Sequence, residues 1–267
     1  MKVRTLVMSG FGINCEAETA EAFRRSGSEA DCIHLNDLIV DPSRMQAYQI
    51  LAIPGGFSYG DDIASGKIFA NRLRYKLGDA MQEFVAAGKL AVGICNGFQV
   101  MVKMGLLPLF EGEFVQEVTL THNDSDRFDN RWVHLKSDAD TVCIWMKDIE
   151  QLEAPIRHGE GKFIPRDETV LTRLQEQGQV ALRYVRADGQ SAAGEFPANP
   201  NGSVDDIAGI CDPSGRILGL MPHPEAFLDG ENHPNWTADG AADEGGGLVL
   251  FRNAVTYAES HLCGVLT

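Results

Sequence analysis

The first hundred residues alternate short apolar runs with amphipathic stretches, and this order limits the fold more than any other feature of the sequence. Each run is rich in branched side chains and ends at Gly, Pro, Asn or Cys, which is typical of buried strands. Strands that alternate with helices predict a parallel sheet covered by helices on both faces. The four predicted strands are VRTLVM (3–8), ADCIHL (30–35), YQILAIP (48–54) and KLAVGI (89–94).

Three stretches have the spacing or charge order of helices. Residues 15–26 begin with acidic residues and end with Arg24 and Arg25, which is the order that a helix dipole favours. Residues 68–87 repeat apolar side chains at helical spacing. The terminal stretch GGGLVLFRNAVTYAESH places its apolar side chains on one face and predicts the last helix.

After residue 114 the pattern changes to apolar runs separated by turns, which predicts antiparallel strands that extend or cover the sheet. The polar, glycine-rich segment 226–247 predicts a long surface loop. Because no linker divides the chain, we predict a single domain over residues 1–267. The apolar runs are FVQEVTLTH, RWVHL, TVCIW, VALRYV and RILGLM.

Charge and cysteine content argue against several classes of protein. The net charge is -15 and the basic residues are scattered, so we predict no nucleic-acid partner. The six cysteines include no CxxC pair, which favours free thiols and a cytoplasmic location. No apolar run has the length of a membrane helix, and we predict neither a membrane span nor an export signal. The histidines lack the paired spacing of a zinc site, so we predict no metal.

The residues GICNGFQVM (93–101) place a cysteine between a predicted strand and a predicted helix. Gly93 and Gly97 flank Cys95 in the pattern G-x-C-x-G, where small residues permit a strained strand-to-helix turn. Backbone N–H groups at a helix N-terminus stabilise a thiolate. We therefore predict that Cys95 is a nucleophile, and the alternative is a small buried cysteine without chemistry.

The residues MPHPE (221–225) offer a base for this thiol and an acceptor for the base. A proline after His223 disfavours the helical conformation, so we expect an extended segment. Side chains two apart then face the same side, which lets Glu225 reach one imidazole nitrogen while the other faces the thiol. We predict these roles for His223 and Glu225, and the alternative is a surface turn with an incidental histidine.

The glycine pair in IPGGFSYGDD (53–62) follows another predicted strand. Such a pair can present backbone N–H groups inward. Beside the cysteine turn, the N–H groups of Gly56 and Asn96 would form an oxyanion hole. The alternative is a tight turn without a catalytic role.

Five motifs in this order resemble one family over nearly the whole chain. GICNGFQ, PGGFSYGD, HGEGKF (158–163), NGSVDDIAGI (201–210) and MPHPE are similar to those of the glutamine amidotransferase subunits of phosphoribosylformylglycinamidine synthase, within the class I (triad) amidotransferases. The resemblance implies an α/β flavodoxin-like fold with a central, mostly parallel sheet, helices on both faces and additional antiparallel strands. It also implies a Cys95, His223 and Glu225 triad, an oxyanion hole at Gly56 and Asn96, and a substrate-binding Gln99.

The same resemblance implies a substrate and partners. L-glutamine would be hydrolysed to glutamate and ammonia, and a synthetase subunit would use the ammonia with ATP and Mg²⁺ to convert formylglycinamide ribonucleotide to its amidine in purine synthesis. A third small subunit is a further possible partner, and the sequence leaves open whether it is needed. Because no GxxxxGK[ST] motif occurs, we expect ATP and Mg²⁺ on the partner and no cofactor in this chain.

Two alternatives stay open at this point. The first is another class I amidotransferase with a different acceptor for the ammonia. The second is a protein of the same fold with another role, either a cysteine peptidase or stress-response relative or a non-catalytic regulatory subunit. A cysteine in a G-x-C-x-G turn without an HPE motif would favour the second alternative, but this chain has HPE at residues 223–225.

Overall fold

A computed structural model of the chain describes residues 2–112, 114–240 and 242–264. We number its strands and helices in chain order. The strands are β1 (Arg4–Ser9), β2 (Glu29–His34), β3 (Ile50–Ile53), β4 (Leu90–Ile94), β5 (Val118–Thr121), β6 (Asp129–Ser137), β7 (Gln151–His158), β8 (Lys162–Pro165), β9 (Val180–Val185), β10 (Ile207–Cys211) and β11 (Ile217–Leu220).

The helices vary from four to fourteen residues, and short 3-10 turns lie between them. None of the helices in the described ranges is long and apolar enough to cross a membrane. The α-helices are α1 (Glu16–Arg25), α2 (Leu35–Val40), α3 (Lys67–Lys76), α4 (Gly78–Ala86), α5 (Asn96–Met104), α6 (Glu168–Glu176), α7 (Trp236–Asp239) and α8 (Leu248–His261). The 3-10 turns are Pro42–Ala47, Ser58–Asp61, Ile144–Met146, Val204–Asp206, Pro224–Ala226 and Gly230–Asn232.

Nine strands form one sheet in the order β2-β1-β3-β4-β11-β10-β9-β6-β7. The half from β2 to β11 is parallel, and the pairs from β11 to β7 are antiparallel. Strands β5 and β8 form a separate antiparallel pair. All residues of β3 and β4 are buried, as expected for parallel strands that are covered on both faces. This architecture confirms the predicted α/β fold with antiparallel strands that extend the sheet.

Most of the predicted elements are present, including the four strands of the first hundred residues and the helices α1 and α8. The run RILGLM differs from its prediction, because β11 pairs in parallel with β4 and is antiparallel only to β10. It therefore joins the two halves of the sheet. Since both halves share this sheet, we propose that the chain is one domain.

Three other predictions need correction. The run TVCIW contains the 3-10 turn Ile144–Met146 in place of a strand, and its buried Trp145 packs edge to face against Phe23. The helix predicted over 68–87 is two helices, because the backbone of the buried Leu77 leaves the helical region before Gly78 starts α4. Segment 226–247 holds the turn Gly230–Asn232 and α7, and within it Ala241 lies outside the described residues.

The carboxyl ends of the parallel strands bring the predicted site residues to one edge of the sheet. Gly55 and Gly56 follow β3, Cys95 follows β4, and His223 follows β11. Cys15 comes six residues after the end of β1 and directly precedes α1. Ligands bind at this edge in open α/β sheets.

The close approach of α5 to the sheet requires a glycine at position 97. A Cβ there would lie 1.8 Å from the carbonyl oxygen of Ile53, which belongs to the central strand β3. We therefore expect Gly97→Ala to lower the free energy of unfolding by about 3 kcal/mol or more, since Ile53 cannot move without disturbing the pairing of β3 with β4 and the residues of α5 are buried. Urea unfolding measures this difference.

Gly78→Ala is the matched control for this prediction. No atom lies within 4 Å of a Cβ built at Gly78, and its backbone dihedrals suit any residue. We expect this variant to be neutral or more stable by about 0.4–1 kcal/mol. Equal free energies of unfolding for the two variants would contradict the proposed contact.

Candidate active site

Cys95 occupies a strained turn between β4 and α5. Its backbone dihedrals are φ 50° and ψ -106°, a conformation that residues other than glycine rarely adopt. The backbone is held in place by the Cys95 N–H, which donates to the carbonyl of Leu220 at 2.8 Å. The side chain is only 4% exposed, and its Sγ lies 3.7 Å from the carbonyl oxygen of Arg157. The structure thus has the strained turn that the G-x-C-x-G pattern predicts.

His223 and Glu225 form a buried hydrogen-bonded pair. Nδ1 of His223 lies 2.6 Å from Oε1 of Glu225, and both side chains are about 2% exposed. The backbone differs from the expected extended segment, because Pro224–Ala226 is a 3-10 turn that begins with a proline. Proline suits the first position of a helical turn, so this turn, and not an extended segment, brings the two side chains together.

The thiols of Cys95 and Cys15 both lie near the imidazole of His223. Because Nδ1 faces Glu225, Nε2 is the nitrogen left for a thiol. Nε2 makes no hydrogen bond of good geometry with any residue that the structure describes, and such contacts are often loose before substrate binds. Burial alone would lower the pKa of His223, but the carboxylate of Glu225 outweighs it and raises this pKa well above its usual value.

The glycine loop after β3 lies against the cysteine turn. Gly56 has φ 150°, and a Cβ there would lie 2.5 Å from the carbonyl oxygen of Gly12, so only glycine fits. Within the described parts of the chain, the Gly56 N–H has no hydrogen-bond acceptor. The side chain of Asn96 accepts a hydrogen bond from the Ser58 N–H at 3.2 Å, which ties the loop to the start of α5.

Gln99 connects the cysteine helix to the loop after β7. Its Oε1 accepts a hydrogen bond from Asn96 at 2.9 Å, and its Nε2 donates to the carbonyl of Glu160 at 2.5 Å. Asn96 also donates to Oδ1 of Asp61 at 3.2 Å, and burial raises the pKa of this carboxyl group. The substrate-binding role of Gln99 stays a prediction. Its contacts place it between the start of α5 and the loop after β7, which lie on two sides of the site.

The HGEG (158–161) and NGS (201–203) motifs form and stabilise the loop after β7. Asn123 accepts a hydrogen bond from the Gly161 N–H at 3.0 Å and lies 3.1 Å from Nδ1 of His158. Asn201 donates to the carbonyl of Gly161 at 2.9 Å. Burial lowers the pKa of His158 to about 3, so this imidazole is neutral at physiological pH. The motifs therefore fix the loop that contacts Gln99.

Sequence reasoning missed Cys15, Asn123 and Asp61. Cys15 directly precedes α1 and lies at the same edge of the sheet as Cys95. Its position between a parallel strand and a helix was the signal that could have placed it near the site. One ligating atom each of Cys15, His223 and Glu225 lie within 4.8 Å of one another. Asn123 follows the short strand β5 and has no signal in the local sequence.

The arrangement has the parts needed for acyl transfer from an amide. A buried thiol stands at a helix N-terminus beside an imidazole, a carboxylate orients the imidazole, and a free N–H group lies in the adjacent loop. Such a site can attack a carbonyl carbon, stabilise the resulting oxyanion and protonate a leaving amine.

The raised pKa of His223 makes the folded chain sensitive to pH. A group with a higher pKa in the folded than in the unfolded state stabilises the fold fully below its unfolded pKa, which is about 6.5 for histidine, and this stabilisation disappears as pH rises through the folded value. Because Glu225 is the main cause that raises the pKa, Glu225→Gln should remove this dependence. We expect the protein with Glu225 to have the larger free energy of unfolding at pH 6.5. Its advantage over the Glu225→Gln variant should shrink by about 1.4 kcal/mol per pH unit as pH rises from 6.5 to the folded pKa of His223.

The measurement is urea unfolding across pH, with both proteins carrying Cys95→Ala so that this thiol does not titrate. The double variant Cys95→Ala, Glu225→Gln is compared with Cys95→Ala alone. A stability difference that does not change with pH would contradict the charged pair.

Comparison with known proteins gives consistent results. Residues 2–258 match the model of the CobB/CobQ-like glutamine amidotransferase domain. Phosphoribosylformylglycinamidine synthase subunit PurQ of Methanococcus maripaludis is 45% identical over 265 residues, which cover 95% of this chain and 97% of that protein. The subunit of the same name from Dehalococcoides mccartyi is 45% identical over 96% of this chain and 98% of its own length.

A solved structure gives the same result for the fold. A chain from the structure of PurLQS from Thermotoga maritima superposes with a TM-score of 0.70 and 30% identity. The match covers 96% of this chain and 99% of the other.

Proposed function

Since the chain belongs to the CobB/CobQ-like glutamine amidotransferase family, we propose that it is the glutaminase subunit of phosphoribosylformylglycinamidine synthase. It hydrolyses L-glutamine to glutamate and ammonia, and it supplies the ammonia to a synthetase subunit. Full-length similarity to the subunits named PurQ favours formylglycinamide ribonucleotide as the acceptor of the ammonia over the acceptor of another class I amidotransferase. The observation that carries the catalytic part is the buried Cys95 turn beside the His223–Glu225 pair.

In the first half of the mechanism, the Cys95 thiolate attacks the side-chain carboxamide of glutamine. The developing oxyanion accepts hydrogen bonds from the N–H groups of Gly56 and Asn96, and loss of one such donor typically costs about 3–4 kcal/mol in the barrier. His223, oriented by Glu225, protonates the leaving amine, the C–N bond of the tetrahedral intermediate breaks, and ammonia departs, which leaves a γ-glutamyl thioester on Cys95.

In the second half, His223 removes a proton from a water molecule, which attacks the thioester carbon. The bond to Sγ breaks, glutamate leaves and the thiolate of Cys95 is restored. Glu225 keeps Nδ1 of the imidazole hydrogen-bonded in both halves, so Nε2 carries the proton that moves.

The synthetase subunit binds ATP and Mg²⁺, and this chain needs no cofactor for glutamine hydrolysis. The structure of PurLQS from Thermotoga maritima is consistent with a synthetase chain and a third chain as partners. The exposed rings of Phe57 and Phe128 lie 6.2 Å apart next to the site loops, and we assign them to the surface that the synthetase covers. The free thiols fit a cytoplasmic enzyme.

The test is reconstitution with the synthetase subunit and, where the organism has one, the third subunit. We expect ATP-dependent conversion of formylglycinamide ribonucleotide to its amidine with glutamine only when this chain is present, with one glutamate formed per amidine. An ammonium salt in place of glutamine should support the synthetase without this chain. A synthetase that uses glutamine equally well without the chain would contradict the proposal.

A further inference from the structure

A second thiol lies beside the histidine and glutamate that serve Cys95, and no step of the proposed mechanism uses it. The Cys15 side chain is buried, and its Sγ donates a hydrogen bond to Oδ1 of Asn14 at 3.3 Å. One ligating atom from each of Cys15, His223 and Glu225 lies within 4.8 Å of the other two. Cys15 is distant in sequence from His223 and Glu225, which are two residues apart, and the fold brings it to them.

Two further observations indicate that this cluster can hold a ligand. Oε2 of Glu225 is buried and has no hydrogen-bond partner among the residues in the described ranges. A Cβ at Gly55 would lie 2.7 Å from Cε1 of His223 and 3.3 Å from Sγ of Cys15, so the glycine is what lets the imidazole and the thiol come together at this turn. Buried polar atoms without partners are unusual, and a cation would satisfy the carboxylate oxygen.

We propose that Cys15, His223 and Glu225 bind a thiophilic divalent cation such as Zn²⁺, and that occupation of this site switches off glutamine hydrolysis. A sulfur, a nitrogen and an oxygen ligand suit Zn²⁺ and do not suit Mg²⁺ or Ca²⁺. Ligands of a tetrahedral zinc lie roughly 3.5 Å from one another, and the three ligating atoms of the cluster lie within 4.8 Å of one another. Three protein ligands leave the fourth position for water.

Charge balance supports a divalent ion in this buried place. The thiolate of Cys15 and the carboxylate of Glu225 together carry two negative charges, which Zn²⁺ neutralises, and the imidazole binds as a neutral ligand. Burial raises the pKa of the Cys15 thiol, so the thiol keeps its proton until a metal ion displaces it. Metal binding therefore releases this proton and the proton that His223 shares with Glu225.

The effect on activity rests on the proposed function, whereas binding of the metal does not. A metal ion on His223 and Glu225 takes away the base that Cys95 needs. The switch would leave the ammonium-dependent reaction of the synthetase unchanged, because that reaction does not use the glutaminase site.

The binding test uses Co²⁺ as a spectroscopic probe on the purified Cys95→Ala chain, which lacks the competing catalytic thiol. We expect one Co²⁺ per chain with a thiolate-to-metal absorption band, and Zn²⁺ should displace it. Adding Cys15→Ala should remove the band, while adding Cys32→Ala, which changes an exposed thiol elsewhere, should leave it intact. Absence of the band, or its persistence without Cys15, would overturn the proposal.

Glu225→Gln in the Cys95→Ala chain provides a second variant that does not change Cys15. Outer-shell partners alone contribute about 10–100-fold to metal affinity, so losing this ligand should weaken Co²⁺ binding by at least about 100-fold. Unchanged affinity would exclude Glu225 from the site and overturn the proposed ligand set. Thermal unfolding of each variant without metal checks that it is folded.

The activity test titrates buffered free Zn²⁺ into the reconstituted complex. We expect reversible loss of glutamine-dependent activity, recovery with a chelator, and at least about a tenfold higher half-inhibitory Zn²⁺ concentration for Cys15→Ala, each relative to its own metal-free rate. Equal sensitivity of both proteins would mean that zinc acts through Cys95 and would overturn the switch. If the complex lacks glutaminase activity even without zinc, the proposed function fails, while the Co²⁺ result still decides the metal site.

Discussion

Cys95→Ala should lower glutamine-dependent activity of the reconstituted complex by about 10⁴-fold or more, because the variant has no atom that can form the thioester. The measurement is glutamate formation in the presence of ATP and formylglycinamide ribonucleotide. The variant should still support the ammonium-dependent reaction of the complex, since added ammonia bypasses the thiol. The Cys95 side chain is small, and its removal should leave the fold intact.

Cys15→Ala is the control that separates the two thiols near His223. Both cysteines precede a helix, but only Cys95 has the strained backbone of a nucleophile turn. We therefore expect Cys15→Ala to retain far more activity than Cys95→Ala. The reverse order would make Cys15 the nucleophile and would contradict the proposed triad.

His223→Gln should have an effect close to that of Cys95→Ala. Glutamine occupies part of the imidazole volume and can hydrogen-bond Glu225, but it can neither accept the thiol proton nor protonate the leaving amine. We expect a loss of glutaminase activity of about 10⁴-fold, again with ammonium-dependent synthesis retained. The measurement is again glutamate formation by the complex.

The double variant Cys95→Ala, His223→Gln distinguishes a catalytic pair from two independent contributions. Residues that act as a unit give non-additive effects, so the double variant should be no less active than the poorer single variant. Losses that multiply would indicate that His223 acts apart from Cys95.

Much of the parallel half of the sheet could be predicted because its signals are local. Strands such as β3 and β4 are short, continuous apolar runs, since both of their faces are buried. The Cys95 turn could be predicted for a similar reason, because its glycines and its helix are adjacent in sequence. The pairing of His223 with Glu225 was expected, although the turn that produces it differs from the expected strand.

The remaining features depend on contacts between distant residues, which a local pattern does not contain. Trp145 lies in a run that reads as a strand, but burial of its ring against Phe23 favours a 3-10 turn. Cys15 reaches His223 only because β1 and β11 end at the same edge of the sheet. Likewise, Asn123 contacts the HGEG loop across 38 residues of sequence.

The most direct test of the central claim is labelling of the complex with a diazo-ketone or chloroketone analogue of glutamine, mapped by mass spectrometry. The reactive carbon of such an analogue takes the place of the glutamine carboxamide, so it reports both the thiolate and the substrate site. We expect one label per chain on Cys95, protection by glutamine, and no label in Cys95→Ala. An unlabelled Cys95 in the intact complex, or labelling that glutamine does not slow, would contradict a glutamine-hydrolysing triad in this chain.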